Sequence, residues 1–255
     1  MTDSSTPAPV GADAAAPGEP LLVEVWSDVV CPWCYVGIAN LDAAISQLDR
    51  PSDVDVRFRS FQLDPSAKTH SAADHLEGLA RKYGTTVEEM RARQDQLVAV
   101  GAAAGIEFRV DQAISGNTFD AHRLLHLADR HGVQHEVKHG LLKAYFTDGR
   151  AIAEPETLRE VGTGAGMPAE EVDALLAGDA YADEVRTDIA VARSNGIGGV
   201  PFFLVDERLA LSGAQPAELI AKVLRKALDE RRPAITMVAG ADTAAGACGP
   251  EGCEI

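Results

Sequence analysis

Two cysteines, Cys31 and Cys34, lie at a junction between a predicted strand and a predicted helix, and this pair constrains the fold more than any other feature. The run before them, Leu21–Ser27, is almost wholly apolar, as expected for a buried strand. After them, apolar residues recur with helical spacing at Ile38, Leu41, Ile45 and Leu48. In an intracellular chain this context is typical of a redox-active dithiol rather than a structural bridge.

The segment after this helix alternates apolar and polar side chains over residues 54–61, which predicts a half-buried strand. Strand, helix and strand at this spacing form a βαβ unit, with parallel pairing and a right-handed crossover. Strand character returns only at residues 200–205, followed by a turn at Asp206-Glu207 and a hairpin partner at 208–212. A final amphipathic helix carries Leu219, Ile220, Val223, Leu224, Ala227 and Leu228.

Between residues 66 and 196 the sequence predicts helices alone. Thr86 and Glu89 form a capping box, Ser71 is a candidate N-cap, and further helices are expected to begin near residues 117 and 133. Pro155 and Pro168 are placed in the first turns of two more, and a last helix covers residues 181–195. The chain is therefore predicted to be an α/β protein with about 130 residues of helical insertion.

Charge and cysteine usage limit the partners and the compartment. The 23 basic and 39 acidic residues give a net charge of −16, which disfavours nucleic acid and anionic membranes as partners. Residues 1–20 lack the basic and apolar regions of a secretory signal and are expected to be a disordered leader. These features predict a cytoplasmic protein, in a compartment where persistent structural disulfides are uncommon. The sequence carries no signature of oligomeric state.

The position of the dithiol predicts different roles for its two thiols. Cys31 lies at a helix N-terminus, where free backbone N–H groups and the helix dipole favour a thiolate. Cys34 follows one turn later and is expected to be less exposed, while Pro32 suits the first helical position. Cys31 is therefore the predicted attacking thiol and Cys34 the resolving thiol. Two buried idle cysteines, or half of a metal site, are the alternatives.

The order of these elements resembles the thioredoxin fold with a large all-helical insertion, as found in the DsbA family, and its FrnE-like branch in particular. The segments that carry the resemblance are residues 27–34, 61–65, 117–124 and 196–203. The resemblance implies thioredoxin-like segments at 21–66 and 197–232, an inserted helical domain at 67–196, and a flexible tail at 233–255. It further implies that Pro201 is cis and faces Cys31 and Cys34, which would leave the backbone of Val200 to pair with an extended substrate.

Two departures from the family pattern affect the chemistry. The dipeptide Pro32-Trp33 contains no histidine, so a potential less oxidising than about −120 mV is expected. Many relatives have a buried carboxylate six residues before the first cysteine, where this chain has Val25. Glu24 and Asp28 flank that position and could relay protons to Cys34. Acids at strand ends are more often solvated, however, and the solvated interpretation is preferred for both. Trp33 is expected to line an apolar patch or to cover the dithiol.

The tail carries a second cysteine pair, Cys248 and Cys253, in a Gly/Pro-rich turn. The roughly 15 residues before it span about 20 Å as a flexible coil and up to about 50 Å stretched, enough to reach Cys31. The hypothesis is a built-in relay with the Cys31/Cys34 pair, which the CxxxxC tail of FrnE-like proteins resembles. Two idle thiols are the alternative. A four-thiolate zinc site is the third interpretation, and Pro201 beside the dithiol opposes it.

Histidines offer a weaker metal signal. His122 and His126 are one helical turn apart, but a polar stripe on an amphipathic helix is the preferred interpretation. His131, His135 and His139 recur every four residues, with a predicted turn at Gly132 interrupting them. No metal and no cofactor is therefore expected.

The sequence thus predicts a thiol–disulfide oxidoreductase or isomerase that acts on substrate proteins or small thiols and disulfides. The alternative enzyme is a glutathione-dependent isomerase of the 2-hydroxychromene-2-carboxylate type, a relative that carries serine where this chain has Cys31. A non-enzymatic alternative is a binding module gated by its own disulfide.

Overall fold

The structure is a computed structural model that describes residues 19–68 and 72–231. Most of the predicted leader, the candidate cap Ser71, and the tail with Cys248 and Cys253 lie outside the described residues. Among the described residues, no helix has both the length and the apolar content needed to cross a bilayer.

The sheet contains four strands in the order β2-β1-β3-β4. The strands are β1 (Leu21–Ser27), β2 (Val54–Ser60), β3 (Phe202–Val205) and β4 (Leu209–Ser212). β1 pairs in parallel with β2 and antiparallel with β3, and β3 pairs antiparallel with β4. The helix between β1 and β2 supplies the crossover that a parallel pair requires.

The helices of the described residues fall into two flanking helices and a long series between β2 and β3. They are α1 (Pro32–Ser46), α2 (Ala72–Lys82), α3 (Val87–Ala103), α4 (Phe119–Arg130), α5 (Gln134–Phe146), α6 (Pro155–Gly164), α7 (Ala169–Ala177), α8 (Ala182–Ser194) and α9 (Ala217–Arg231). Single 3₁₀ turns occur at Pro51–Asp53 and Val110–Gln112.

The central strand β1 is covered on both faces, which explains its continuous apolar sequence. Leu21, Val23 and Val25 are fully buried and belong to one hydrophobic cluster with side chains of α1 and α9. Trp26 lies in a second cluster with Ala192 of α8. The larger cluster also contains side chains of α4 and α5, so the inserted helices and the sheet share a hydrophobic core.

Asp188 of α8 fixes the inserted helices to the sheet. Its Oδ2 accepts a hydrogen bond from the backbone N–H of Ser60, at 2.9 Å, and its carbonyl oxygen accepts one from the indole N–H of Trp26, at 3.2 Å. Arg59 of β2 lies 3.5 Å from Asp188 and 2.6 Å from Glu24. A buried carboxylate is tolerated where several donors replace its lost water, and these contacts meet that requirement.

Gln134 covers the exposed edge of β2. Its side-chain oxygen accepts from the N–H of Phe58 at 2.8 Å, and its side-chain nitrogen donates to the Phe58 carbonyl at 3.1 Å. The amide therefore satisfies the backbone N–H and carbonyl of Phe58, which would otherwise be free to pair with another chain at this edge.

The predicted strand positions are confirmed, and no strand occurs between β2 and β3 among the described residues. The capping box of Thr86 and Glu89 is also confirmed. Two helix starts differ from the prediction. Pro168 is the N-cap of α7 and lies before its first turn, and Tyr181 is the N-cap of α8 with a φ of 63°.

Gly37 allows α1 to pack closely against the start of β3. A Cβ at this position would lie 2.8 Å from Cγ of Pro201 and 3.2 Å from Cζ of Phe203. Such distances are too short for carbon–carbon contact, so a side chain would push α1 away from the loop that contains Pro201.

We therefore expect Gly37→Ala to destabilise the protein. The overpacking costs about 1–3 kcal/mol, and this exceeds the gain of up to about 1 kcal/mol from replacing a helical glycine by alanine. Urea unfolding would measure the change through the transition midpoint.

Gly78→Ala is the matched control, because Gly78 lies in α2 and, outside the nearby backbone of that helix, no atom of the described residues lies within 4 Å of an added Cβ. This variant should be slightly more stable than the wild type. Equal stabilisation by the two substitutions would contradict the close packing of α1 against Pro201.

Candidate active site

Cys31 and Cys34 lie at the start of α1, as the sequence predicts. Cys31 is the N-cap, with extended backbone dihedral angles, and Pro32 is the first helical residue. Both thiols are free, and Cys31 is 4% exposed whereas Cys34 is fully buried. The backbone N–H of Cys34 donates to the Cys31 carbonyl at 3.0 Å, which sets the two residues one turn apart.

The loop before β3 lies directly against this pair. The Val200–Pro201 peptide bond is cis, as expected from the resemblance. The thiol of Cys31 donates to the Val200 carbonyl oxygen, with a sulfur–oxygen distance of 3.7 Å. Residues separated by 169 positions in the chain therefore meet at one point.

The surroundings shift the pKa values of the two thiols in opposite directions. A hydrogen bond from the Cys34 thiol is the largest influence on Cys31 and lowers its pKa. The backbone N–H groups of Trp33 and Cys34 act in the same direction, against burial and the charge of Asp28. Burial raises the pKa of Cys34 well above its usual value, and the contact with Cys31 adds to this. A thiolate therefore forms more readily at Cys31 than at Cys34.

Asp28 is buried beneath the dithiol, so the solvated interpretation is wrong for this residue. Its carboxylate accepts hydrogen bonds from the backbone N–H groups of Val29 and Leu63, each at 2.8 Å. Nε2 of His122 lies 3.3 Å from Oδ1. Burial alone would raise the pKa of Asp28, but His122 and the Leu63 N–H hold it below the usual value. Asp28 is therefore a fixed negative charge near the thiols.

Glu24 is also buried, which corrects the second solvated assignment. It is held in the ion pair with Arg59 described above, at 2.6 Å. The sequence around Glu24 does not indicate this burial, because its partner Arg59 lies on the neighbouring strand β2.

The interpretation of His122 and His126 as a solvated stripe is wrong as well. His122 is fully buried against Asp28. His126 is largely buried, with Nε2 3.1 Å from Asp188 and 3.2 Å from the Ser60 hydroxyl. The two histidines therefore have separate carboxylate partners.

Lys138 of α5 is a buried residue that the sequence analysis missed. Its side chain is fully buried, its Nζ has no hydrogen-bond partner among the described residues, and it lies 5.7 Å from the centre of the Phe58 ring. Burial lowers its pKa, while the charges of Cys34, Asp28 and Cys31 act to raise it. The positive charge of Lys138 in turn lowers the pKa of Cys34.

A large, mostly apolar groove of about 1410 Å³ opens beside Cys31. Its apolar lining includes Val30, Trp33, Leu63, Tyr83, Met90 and Val100. Four of these residues remain accessible, with exposures of 47% for Trp33, 41% for Leu63, 60% for Tyr83 and 39% for Val100. The residues come from the segment before α1 and its first turn, the segment after β2, the end of α2 and helix α3.

The relay hypothesis for Cys248 and Cys253 concerns residues outside the described part of the chain, and it stays a prediction. The same holds for a site formed by all four cysteines. Within the described residues, the elements bring together Cys31, Cys34 and the Val200-Pro201 loop.

Comparison with known proteins gives matches at the level of both sequence and structure. A family model described as a DSBA-like thioredoxin domain matches residues 22–225. The uncharacterized protein YwbO of Bacillus subtilis (strain 168) is 23% identical over 206 residues, which cover 79% of this chain and 94% of YwbO.

Among solved structures, a probable DsbA oxidoreductase from Streptomyces coelicolor is 41% identical, with a TM-score of 0.77. That match covers 92% of this chain and 99% of the other. The cytosolic disulfide reductase DsbM of Pseudomonas aeruginosa has the same fold, with 19% identity, a TM-score of 0.57, and coverage of 82% and 100%. The FrnE-like branch stays a prediction. The family match and the 41% identical structure establish that this chain belongs to the family of DSBA-like thioredoxin domains.

Proposed function

We propose that the protein is a thiol–disulfide oxidoreductase that uses Cys31 as attacking thiol and Cys34 as resolving thiol. The observation that carries this proposal is the position of Cys31 and Cys34 at the start of α1, directly against the Val200-Pro201 loop. The pKa of Cys31 is lowered there and that of Cys34 is raised. A low pKa provides a thiolate for attack, and a high pKa keeps the second thiol protonated until it is needed. The 41% identical structure, named a probable DsbA oxidoreductase, supports the same class of reaction.

In the reducing direction, the Cys31 thiolate attacks one sulfur of a substrate disulfide and forms a mixed disulfide. The other substrate sulfur leaves as a thiolate and takes up a proton. Cys34 then loses its proton and attacks the Cys31 sulfur, which releases the second substrate thiol. The substrate disulfide gains two electrons, and the protein is left with a Cys31–Cys34 disulfide.

The neighbouring charges are suited to the second step. While Cys34 is a thiol, burial opposes its ionisation. The positive charge of Lys138 favours the Cys34 thiolate, and the negative charge of Asp28 opposes the thiolate of Cys31. The balance between Lys138 and Asp28 therefore affects how readily the mixed disulfide is resolved.

We propose polypeptides as the main substrates. The apolar groove beside Cys31 keeps Trp33, Leu63 and Tyr83 accessible, and exposed apolar surface of this extent is suited to an unfolded or extended chain. The Val200 carbonyl at the end of the groove would accept a backbone N–H of that chain once the Cys31 thiol no longer donates to it. In a reducing cytosol, the location we propose, reduction or isomerisation is the expected direction.

Cys31→Ser should abolish insulin reduction, lowering the rate at least about a hundredfold, because the nucleophile is lost. Cys34→Ser should instead accumulate the mixed disulfide with substrate, since no thiol remains to resolve it. A coupled insulin reduction assay and non-reducing electrophoresis would measure the two effects.

Retention of activity by Cys31→Ser would contradict the proposed nucleophile. A mixed disulfide that forms in Cys31→Ser but not in Cys34→Ser would reverse the two roles. Serine preserves the size of each side chain, so the fold should persist, and circular dichroism would verify this.

Asp28→Asn should shift the alkylation of Cys31 to lower pH. The thiolate fraction rises as pH passes the Cys31 pKa, and the Asp28 carboxylate raises that pKa by repelling the thiolate. Removing the charge therefore lowers the Cys31 pKa further. The rate of reaction with iodoacetamide as a function of pH gives the midpoint in a chain whose Cys248 and Cys253 are replaced by serine, because the raised pKa of Cys34 keeps that thiol protonated over the same range.

Asp173→Asn is the control, because Asp173 is an exposed residue paired with Arg159 on the surface. Its midpoint should match the wild type. A shift of the Asp28→Asn midpoint to higher pH would mean that Asp28 stabilises the Cys31 thiolate, contrary to the electrostatic argument.

Tyr83→Ala should raise the KM for a polypeptide disulfide about fivefold or more and leave the rate with a small disulfide such as cystine unchanged. An apolar contact of about 1 kcal/mol or more is lost only when the substrate is long enough to reach the groove wall. Val98→Ala, at another exposed apolar residue that does not line the groove, should change neither value. Equal effects on the large and small substrates would exclude the groove as a polypeptide site.

A further inference from the structure

Asp42, His135 and His139 meet at the junction of α1 and α5, apart from the dithiol. Nε2 of His135 lies 2.9 Å from Oδ1 of Asp42, and Nε2 of His139 lies 2.9 Å from Oδ2. The three side chains offer ligand atoms that all lie within 4.8 Å of one another. The predicted turn at Gly132 does separate His131, at the end of α4, from the other two histidines, and α5 begins at Gln134 and carries both His135 and His139.

The two histidines are four residues apart, so their side chains lie on one face of α5. Their ring centres are 4.4 Å apart, with an angle of 37° between the ring planes. Asp42 faces both from α1 and contributes one carboxylate oxygen to each. The arrangement therefore has the spacing of a pair of imidazole ligands on a helix, completed by a carboxylate from a second helix.

The contact between His139 and Asp42 is not a satisfied hydrogen bond. Nε2 of His139 is buried as an atom and has no hydrogen-bond partner among the described residues, although Oδ2 of Asp42 is only 2.9 Å away. At this short distance the direction, not the separation, fails the requirements of a hydrogen bond. The two atoms therefore lie close together without a well-aligned hydrogen bond between them, an arrangement suited to two ligands that contact a single ion.

We propose that Asp42, His135 and His139 form a binding site for a divalent transition-metal ion, with Zn²⁺ as the best fit. Two imidazole nitrogens and one carboxylate oxygen are a donor set that zinc accepts, and imidazole suits Co²⁺, Ni²⁺ and Cu²⁺ as well. Mg²⁺ prefers oxygen ligands and should not bind.

The site is open enough for water to complete the coordination of the ion. The side chains of Asp42, His135 and His139 are 32%, 46% and 32% exposed. The net charge of −16 also favours the approach of cations. A bound ion would join α1, which carries the dithiol, to α5 of the inserted helices. This role is independent of the thiol chemistry proposed above.

The test uses the full-length chain without an affinity tag and with all four cysteines replaced by serine, so that thiolates cannot bind the ion. Titration with ZnCl₂ in a calorimeter should give binding of one ion per chain. Asp42→Asn, His135→Gln and His139→Gln should each weaken the affinity at least about tenfold, since loss of even an outer-shell partner has an effect of that size. At a hundredfold excess over Kd, Zn²⁺ should raise Tm by about 5 °C, an increase that the three variants lack.

His131→Gln is the matched control, because His131 pairs with Glu171 at 3.0 Å and takes no part in the cluster. It should bind Zn²⁺ as tightly as the parent chain. MgCl₂ should give no binding heat, and Co²⁺ should give a visible absorption spectrum that the His139→Gln variant loses. Should the cysteine-free chain not fold, wild-type protein oxidised to its disulfide form serves in the same titrations.

Two results would overturn the proposal. Absence of Zn²⁺ and Co²⁺ binding to a folded parent chain would leave the cluster as an ion pair between helices. Binding that survives in all three ligand variants, or that His131→Gln also removes, would place the ion elsewhere on the protein.

Discussion

The buried carboxylate of Asp28 is the interaction on which the active region depends. It accepts hydrogen bonds from the backbone N–H groups of Val29, just after β1, and Leu63, just after β2. It also contacts His122 of α4. Three segments that are distant in sequence therefore meet on one side chain, directly before the dithiol. A carboxylate without these donors would be too costly to bury, so the segments and the charge hold each other in place.

The negative charge of Asp28 also affects the protonation of Cys31 and Lys138. An isolated buried lysine tends to lose its proton, and burial does lower the pKa of Lys138. The negative charges of Asp28 and of the ionised thiols oppose that shift. Lys138, Asp28 and the two cysteines thus form one electrostatic unit in which the protonation of each group depends on the others. Lys138 belongs to α5, and Asp28 contacts His122 of α4, so the inserted helices set the electrostatic surroundings of the dithiol as well as lining the groove.

The sequence was informative where local patterns decide the structure. The apolar run of β1, the dithiol at a helix start and the capping box of Thr86 each depend on neighbouring residues, and all three were predicted. The cis peptide bond at Pro201 was predicted from the family resemblance. Burial of Asp28, His122 and Lys138 could not be found in this way, because each is buried by residues from another part of the chain. A charged residue on a helix or at a strand end has the same local signature whether its partner is water or a distant side chain.

Helix α5 shows how closely these long-range effects are combined. Lys138 is fully buried near the thiols, while the adjacent His139 and the preceding His135 face Asp42 at the surface of α1. Helix α5 therefore faces α1 at two places. Lys138 acts on Cys34 near the start of α1, and His135 and His139 contact Asp42 farther along α1. Because α1 carries the dithiol at its N-terminus, any movement of α5 relative to α1 would change the distance between Lys138 and Cys34 and hence the pKa of Cys34. The packing of α1 against α5 thus affects the pKa of Cys34 as well as the stability of the fold.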